Sequence, residues 1–129
     1  MGELKHARSF RDLHVYQKAK CVAKHVFELT REFPQEEKYS LTDQLRRSAR
    51  SVGAQIAEAW AKRRYKKHFV SKLTDADGEQ QETQHWIDSA HDCEYITDQQ
   101  RNALMSDLAE IGRMLGAMME KADSFCVTD

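Results

Sequence analysis

The stretch Leu41–Lys67, LTDQLRRSARSVGAQIAEAWAKRRYKK, constrains the fold of this chain more than any other. At roughly 100° per residue, Leu41, Leu45, Ala49, Val52, Ile56 and Trp60 fall on one side of a helix. Arg46, Arg47 and Arg50 fall on the far side, and a seam of small or polar residues, Gln44, Ser48, Ser51, Gln55 and Glu58, runs between them. A helix this long with one apolar stripe has to bury that stripe against other helices. Chain breakers are scarce elsewhere too. Five Gly and one Pro in 129 residues argue for long helices and against a turn-rich β fold, and the length suits one domain.

The rest of the chain supplies three more amphipathic helices. Residues 1–10 read as a flexible N-terminal arm, 11–125 as a helical bundle domain and 126–129 as a C-terminal tail. Asp12 is the expected cap of a first helix over 12–33, with Leu13, Tyr16, Ala19, Ala23, Val26, Phe27 and Thr30 as its apolar positions and Pro34 as its stop. The central helix is expected over 41–63, with a bend around Lys62–Tyr65. A third helix is expected over 66–96, with Phe69, Leu73, Ala76, Ile87, Ala90 and Cys93 in the core. Its middle, DGEQQETQH, has no large apolar residue, and Gly78 there costs about 1 kcal/mol against Ala, which a close helix crossing is one physical reason to tolerate. Thr97–Gln100, TDQQ, fits a capping box that opens a fourth helix over 98–123. Leu104, Leu108, Ile111, Leu115, Met118 and Ala122 form its heptad-like seam, widened by Met105, Gly112 and Met119. Four helices with short links predict an all-α, antiparallel up-down-up-down four-helix bundle. The wide fourth helix, the interrupted third stripe and Trp86 suggest that it is oligomeric.

A net charge of −1 and a pI near 6.6 carry no global basic signature. The charge is segregated nonetheless. From Arg46 to Lys72 nine Lys or Arg face one Glu, a net +8; from Asp75 to Glu110 ten Asp or Glu face one Arg, a net −9. Arg46, Arg47, Arg50, Lys62, Arg63, Arg64, Lys66 and Lys67 are therefore candidate phosphate contacts, with Trp60 and Tyr65 beside them for stacking. The competing reading pairs these cations with the acidic stretch, within or between subunits. Ser48, Ser51, Gln55, Glu58 and Trp86 are candidates for a subunit interface or ligand groove; the plainer alternative for the seam is a helix contact inside one subunit.

Other chemistry is weakly supported. Glu82 and His85 make one Glu-x-x-His step, and Glu28 and Glu58 could add carboxylates, but di-metal bundles use two such steps. His85, Asp88 and Asp92 share a helix face. Cys93 and His91 point apart at i and i+2, so they form no nucleophile–base pair. No metal, cofactor or catalytic residue is expected. Cys21, Cys93 and Cys126 form no CxxC pair and read as reduced thiols. The opening MGELKHARSF has no apolar signal segment, His6 breaks the myristoylation pattern, and no apolar run is long enough for a membrane span. A cytoplasmic location and no membrane partner are expected.

The segments FRDLHVYQKA, LTREFPQEEKYSLTDQLRRSARSVGAQIAEA, KKHFVSKL, ADGEQQE and EIGRML together resemble the bacterial 23S rRNA intervening-sequence proteins, also called the four-helix-bundle protein family, over roughly residues 10–120. The resemblance implies a left-handed antiparallel bundle that assembles as a homopentamer. A related bundle is the accessory protein of diversity-generating retroelements, a basic pentamer that binds nucleic acid and a reverse transcriptase. Gln55 stands where the family usually has Asn, and Ala59 where Gly usually follows Glu58. The combined expectation is a non-enzymatic, homo-oligomeric bundle that binds nucleic acid, RNA first. The alternatives are a scaffold for a protein partner without nucleic-acid contact, and a metal-dependent bundle enzyme.

Overall fold

The computed structural model describes residues 7–126. After a 3-10 turn at Phe10–Asp12 come four long helices: α1 (His14–Thr30), α2 (Asp43–Ala61), α3 (Lys66–Asp92) and α4 (Asp98–Glu120). A short α5 (Ala122–Phe125) closes the chain, and no strand occurs among the described residues. Each long helix packs on its neighbours in sequence, and α1 also packs on α4, which closes the ring of an up-down-up-down bundle. The pairing is antiparallel: Glu58 of α2 meets Lys72 of α3, while Ser48, ten residues earlier, meets Thr83.

The core is a column of side chains from all four helices. Leu45, Ala49, Val52, Ile56 and Ala59 of α2 face Phe69, Leu73, Ala76, Ile87 and Ala90 of α3. From α4, Leu104, Leu108, Ile111, Leu115 and Met118 are buried, followed by Ala122 of α5, as the heptad-like spacing predicts. Phe125 stacks on Phe69 with ring centroids 5.8 Å apart, pinning α5 to the start of α3. The Thr97–Gln100 capping box is present in both directions, at 2.9 and 3.0 Å.

Several local expectations need correction. Asp12 does not cap α1. Leu13 holds the N-cap position in an extended conformation, and Asp12 Oδ2 instead accepts the backbone N–H of Arg8 at 2.8 Å. The buried stripe of α1 is Val15, Ala19, Val22, Val26 and Thr30, whereas Phe27 is 37% exposed. Residues 7–10 of the expected arm are held in place: Ser9 caps the first turn, and Phe10 packs edge-on against Tyr16 at 4.8 Å. The rest of the arm, and the tail beyond Cys126, lie outside the described residues.

Helix α1 stops at Thr30, a turn before Pro34, and Gln35–Thr42 is not a plain link. It forms a 3-10 turn followed by a π turn that buries Leu41 and Thr42. Helix α3 ends at Asp92 and not near 96. Glu94 adopts φ 63°, with Tyr95 N–H donating to the Ala90 carbonyl and Glu94 N–H to the His91 carbonyl. This is a Schellman termination with a non-glycine residue in the left-handed position. It leaves Cys93 exposed and not in the core. Gly78 is not a crossing point either: a Cβ there would meet nothing within 4 Å. The close approach is at Gly112, where a Cβ would lie 3.0 Å from Gln80 Nε2. Gln80 and Thr83 complete the interrupted stripe of α3 as buried polar residues.

Candidate nucleic-acid interface

The basic bend is built by the end of one helix and the start of the next. Lys62 N–H closes on the carbonyls of Glu58 and Ala59, and Tyr65 N–H on that of Lys62. Arg63 Nε donates to the Trp60 carbonyl at 2.9 Å, with its guanidinium 3.6 Å from the centre of the Trp60 ring. The carbonyls of Glu58, Ala59 and Trp60 near the end of α2 are thereby satisfied internally. The first N–H groups of α3 find no cap among the described residues: its N-cap, Tyr65, is extended and makes no side-chain cap bond. Lys66, Lys67 and His68 are exposed there. Open N–H groups and the positive end of the helix dipole favour an anion at this spot.

Few of these charges are neutralised by neighbours. Lys66 Nζ lies 3.0 Å from Asp123, but both side chains are largely exposed, so the pair is weak. Lys62, Arg63, Arg64 and Lys67 have no carboxylate within ion-pair distance among the described residues. Arg64 lies 5.9 Å from the Tyr65 ring, which is itself 55% exposed. The fold adds two residues that sequence reasoning missed. The turn at Phe10–Asp12 packs beside α2 at this end of the bundle, bringing in exposed Arg8 and Arg11. Antiparallel topology was the available signal, because the start of α1 must lie near the end of α2.

Part of the acidic stretch is engaged elsewhere. Arg101 of α4 reaches Asp88 at 2.9 Å, and Lys18 of α1 bridges Asp107 at 3.3 Å and Glu110 at 2.9 Å. Lys72 bonds Glu58 at 2.8 Å, which holds the Glu58 carboxyl below its ordinary range. The pairing of the Lys62–Lys67 cluster with Asp75–Glu94 is absent within this subunit among the described residues.

The eight predicted phosphate contacts do not form one surface. Lys62, Arg63, Arg64, Lys66 and Lys67 cluster at the bend. Arg46 lies about 25 Å further along α2 at 1.5 Å per residue. There its Nε donates to Thr30 Oγ1 at 2.7 Å and its guanidinium lies 4.7 Å from the Phe27 ring. Arg50 also lies over Phe27, at 5.7 Å. Arg47 faces α3, bonding Gln44 at 2.6 Å with Glu82 3.7 Å away.

The seam of α2 faces α3 of the same chain. Ser48 is fully buried against Thr83, and Glu58 is tied to Lys72. Gln55 Oε1 is buried without a hydrogen-bond partner, as is Glu79 Oε1 on α3; Ser51 is half-buried. Trp86 is half-buried, with its indole N–H on Glu82 Oε2 at 3.0 Å and its ring 4.7 Å from His85. Glu82 and Asp88 are thus held by Trp86 and Arg101. No group of three or more His, Cys, Asp or Glu that could hold a metal occurs among the described residues. None of the described helices is long and apolar enough to cross a membrane.

Comparison with known proteins settles the family. The family model of the 23S rRNA-intervening sequence proteins matches residues 11–117. The chain belongs to this family. No curated protein matches it. A crystal structure of an S23 ribosomal protein family member of unknown function, from Bacteroides thetaiotaomicron, is similar to it. That protein is 30% identical, the match covers 82% of this chain and 95% of that one, and the TM-score is 0.74. This intervening-sequence protein therefore shares both the helical architecture and a substantial part of its sequence with a solved relative.

Proposed function

We propose that this intervening-sequence protein is a non-catalytic bundle that binds nucleic acid, structured RNA first, through the basic end made by the α2–α3 bend and the N-terminal turn. One observation carries the reading. Cations from two separate chain segments lie at one end of the bundle, and four of them, Lys62, Arg63, Arg64 and Lys67, have no carboxylate within ion-pair distance among the described residues, while Asp88, Asp107 and Glu110 of the acidic stretch are paired with Arg101 and Lys18. Unneutralised charge beside an uncapped helix start suits phosphate oxygens, and exposed Tyr65 offers a stacking face. Nothing in this arrangement requires base-edge readout, so affinity is expected to depend on shape and salt more than on sequence.

Self-association belongs to the same reading, with five subunits suggested by family resemblance. A ring would repeat the basic end and raise avidity for an extended nucleic acid. The protein is expected to carry absorbance at 260 nm when purified at low salt, and to bind labelled stem-loop RNA and duplex DNA alike in fluorescence anisotropy. Protein that purifies free of nucleic acid and binds neither probe at low salt would contradict the reading.

A further inference from the structure

A second surface lies on the side of the bundle, between α1 and α2. Ala19, Ala23, Ala49, Gly53, Ala54 and Ala57 are all small, so the two helices leave an open groove of about 710 Å³ between them. Phe10 and Tyr16 close one end and Phe27 stands at the other. At 37%, Phe27 is one of three exposed large apolar side chains among the described residues. The only charged side chains lining the groove are Lys20, Lys24 and Arg50, with no carboxylate among the lining residues.

We infer that this groove docks an amphipathic α-helix of another protein, apolar on its inner face and acidic along its flanks. From Tyr16 to Phe27 the groove runs about 16 Å, which matches about three turns of helix at 1.5 Å per residue. Small residues between two helices admit the ridge of a third, and apolar anchors at helical spacing suit such a cleft. The apolar floor favours a helix over a phosphate backbone, and the three cations select negative flanks. A second copy of this chain is the competing occupant. Its helical carboxylates Asp88, Asp107 and Glu110 are held by Arg101 and Lys18 of their own subunit and Glu82 by Trp86 and Arg47, whereas Glu28, Asp43, Asp92 and Glu120 form no ion pair among the described residues, so the oligomeric state of the groove variant separates the two. The groove lining includes none of Lys62–Lys67 and adjoins the basic end only through Phe10, so RNA binding and helix docking can be tested apart.

The test uses the full chain and a displayed library of helical peptides of about 14 residues, roughly one turn longer than the groove. Selection is made against the parent protein, with Ala54→Trp as the counter-target; Ala54 is exposed, so the indole fills the groove without entering the core. Enriched peptides are expected to carry apolar residues at i, i+3/i+4 and i+7 with net negative flanks. They should bind Ala54→Trp at least about tenfold more weakly than the parent. Lys20→Glu with Lys24→Glu should cost a similar factor and shift the preference toward basic flanks. No enrichment over the counter-target, or enriched peptides without an acidic bias, overturns the inference. So does an Ala54→Trp protein that changes from oligomer to monomer, which would assign the groove to a second copy, or loss of RNA binding in the Lys20/Lys24 variant, which would assign it to nucleic acid.

Discussion

Thr83 Oγ1 lies 2.9 Å from Ser48 Oγ, and both side chains are completely buried where α3 crosses α2. Thr83 Oγ1 is also 2.8 Å from the Glu79 carbonyl, and the Ser48 hydroxyl donates to the Leu45 carbonyl at 3.2 Å. The pair lets two helices touch through small polar groups where a large apolar residue would not fit. Removing one hydroxyl leaves the other buried with one partner fewer. Thr83→Val should therefore cost about 1–3 kcal/mol, and Ser48→Ala with Thr83→Val less than the sum of the single changes. Urea denaturation followed by circular dichroism measures this; strict additivity would mean that the two hydroxyls are not coupled.

Two backbone positions run against helical preference and are open to improvement. Gly78 sits on an exposed face of α3 with space for a methyl group, so Gly78→Ala should stabilise by about 0.5–1 kcal/mol. Glu94 holds a left-handed conformation at φ 63°, so Glu94→Gly should stabilise by about 1 kcal/mol by relieving the Cβ. Gly112→Ala should gain less than Gly78→Ala, because its methyl group presses on Gln80 Nε2 at 3.0 Å and disturbs the Gln80–Asp77 contact. Thermal melts of the three variants rank them; Gly78→Ala less stable than the parent would refute the open-space assignment.

The loops at the far end of the bundle are joined by a pH-sensitive bond. The Tyr95 hydroxyl donates to Glu37 Oε2 at 2.7 Å and packs near Phe33. That bond, with help from Ser40, holds the Glu37 carboxyl below its ordinary value of 4.5, while Tyr95 is pushed up to about 12, chiefly by Glu37 and then by desolvation. The folded state thus favours an ionised Glu37 and a protonated Tyr95. Glu37 contributes stability above pH 4.5, lost as pH falls through its lowered value. Tyr95 contributes below pH 10, lost as pH rises towards about 12. Tyr95→Phe should lower the melting temperature most between those limits, and the gap to the parent should close at both extremes. A gap independent of pH would show that the bond carries none of the difference.

The four helices and most of their core were legible in the sequence because the buried residues of α2 and α4 keep a regular spacing of four and three. In α1 two stripes compete. Val15, Val22 and Val26 share a face, while Tyr16, Ala23 and Phe27 lie one position on, about 100° round the helix. Periodicity alone cannot choose between them; the position of α4, tied on through Lys18, does. In α3 the polar run looked like an interrupted stripe because Gln80 and Thr83 enter the core, a choice that depends on small partners such as Ser48 across the contact. Cys93 was placed in the core by spacing, but the chain leaves the helix first. The basic patch was legible as composition. Its division into a bend and a groove was not, since Arg46 and Arg50 are set apart by their stacking on Phe27 of another helix.

The central claim is that the basic end meets phosphates, and the salt dependence of RNA affinity tests it most directly. Lys62, Arg64 and Lys67 are exposed and have no carboxylate within ion-pair distance among the described residues, so replacing all three by Ala removes charge without removing an ion pair seen there. If a subunit engages about three phosphates, the parent should show a log–log salt slope of roughly −2 to −3 per subunit. The triple variant should bind more weakly and flatten that slope towards zero, with its helicity, melting temperature and sedimentation unchanged. An unchanged slope in the triple variant, or a parent without salt-sensitive affinity at about 50 mM salt, would contradict the account.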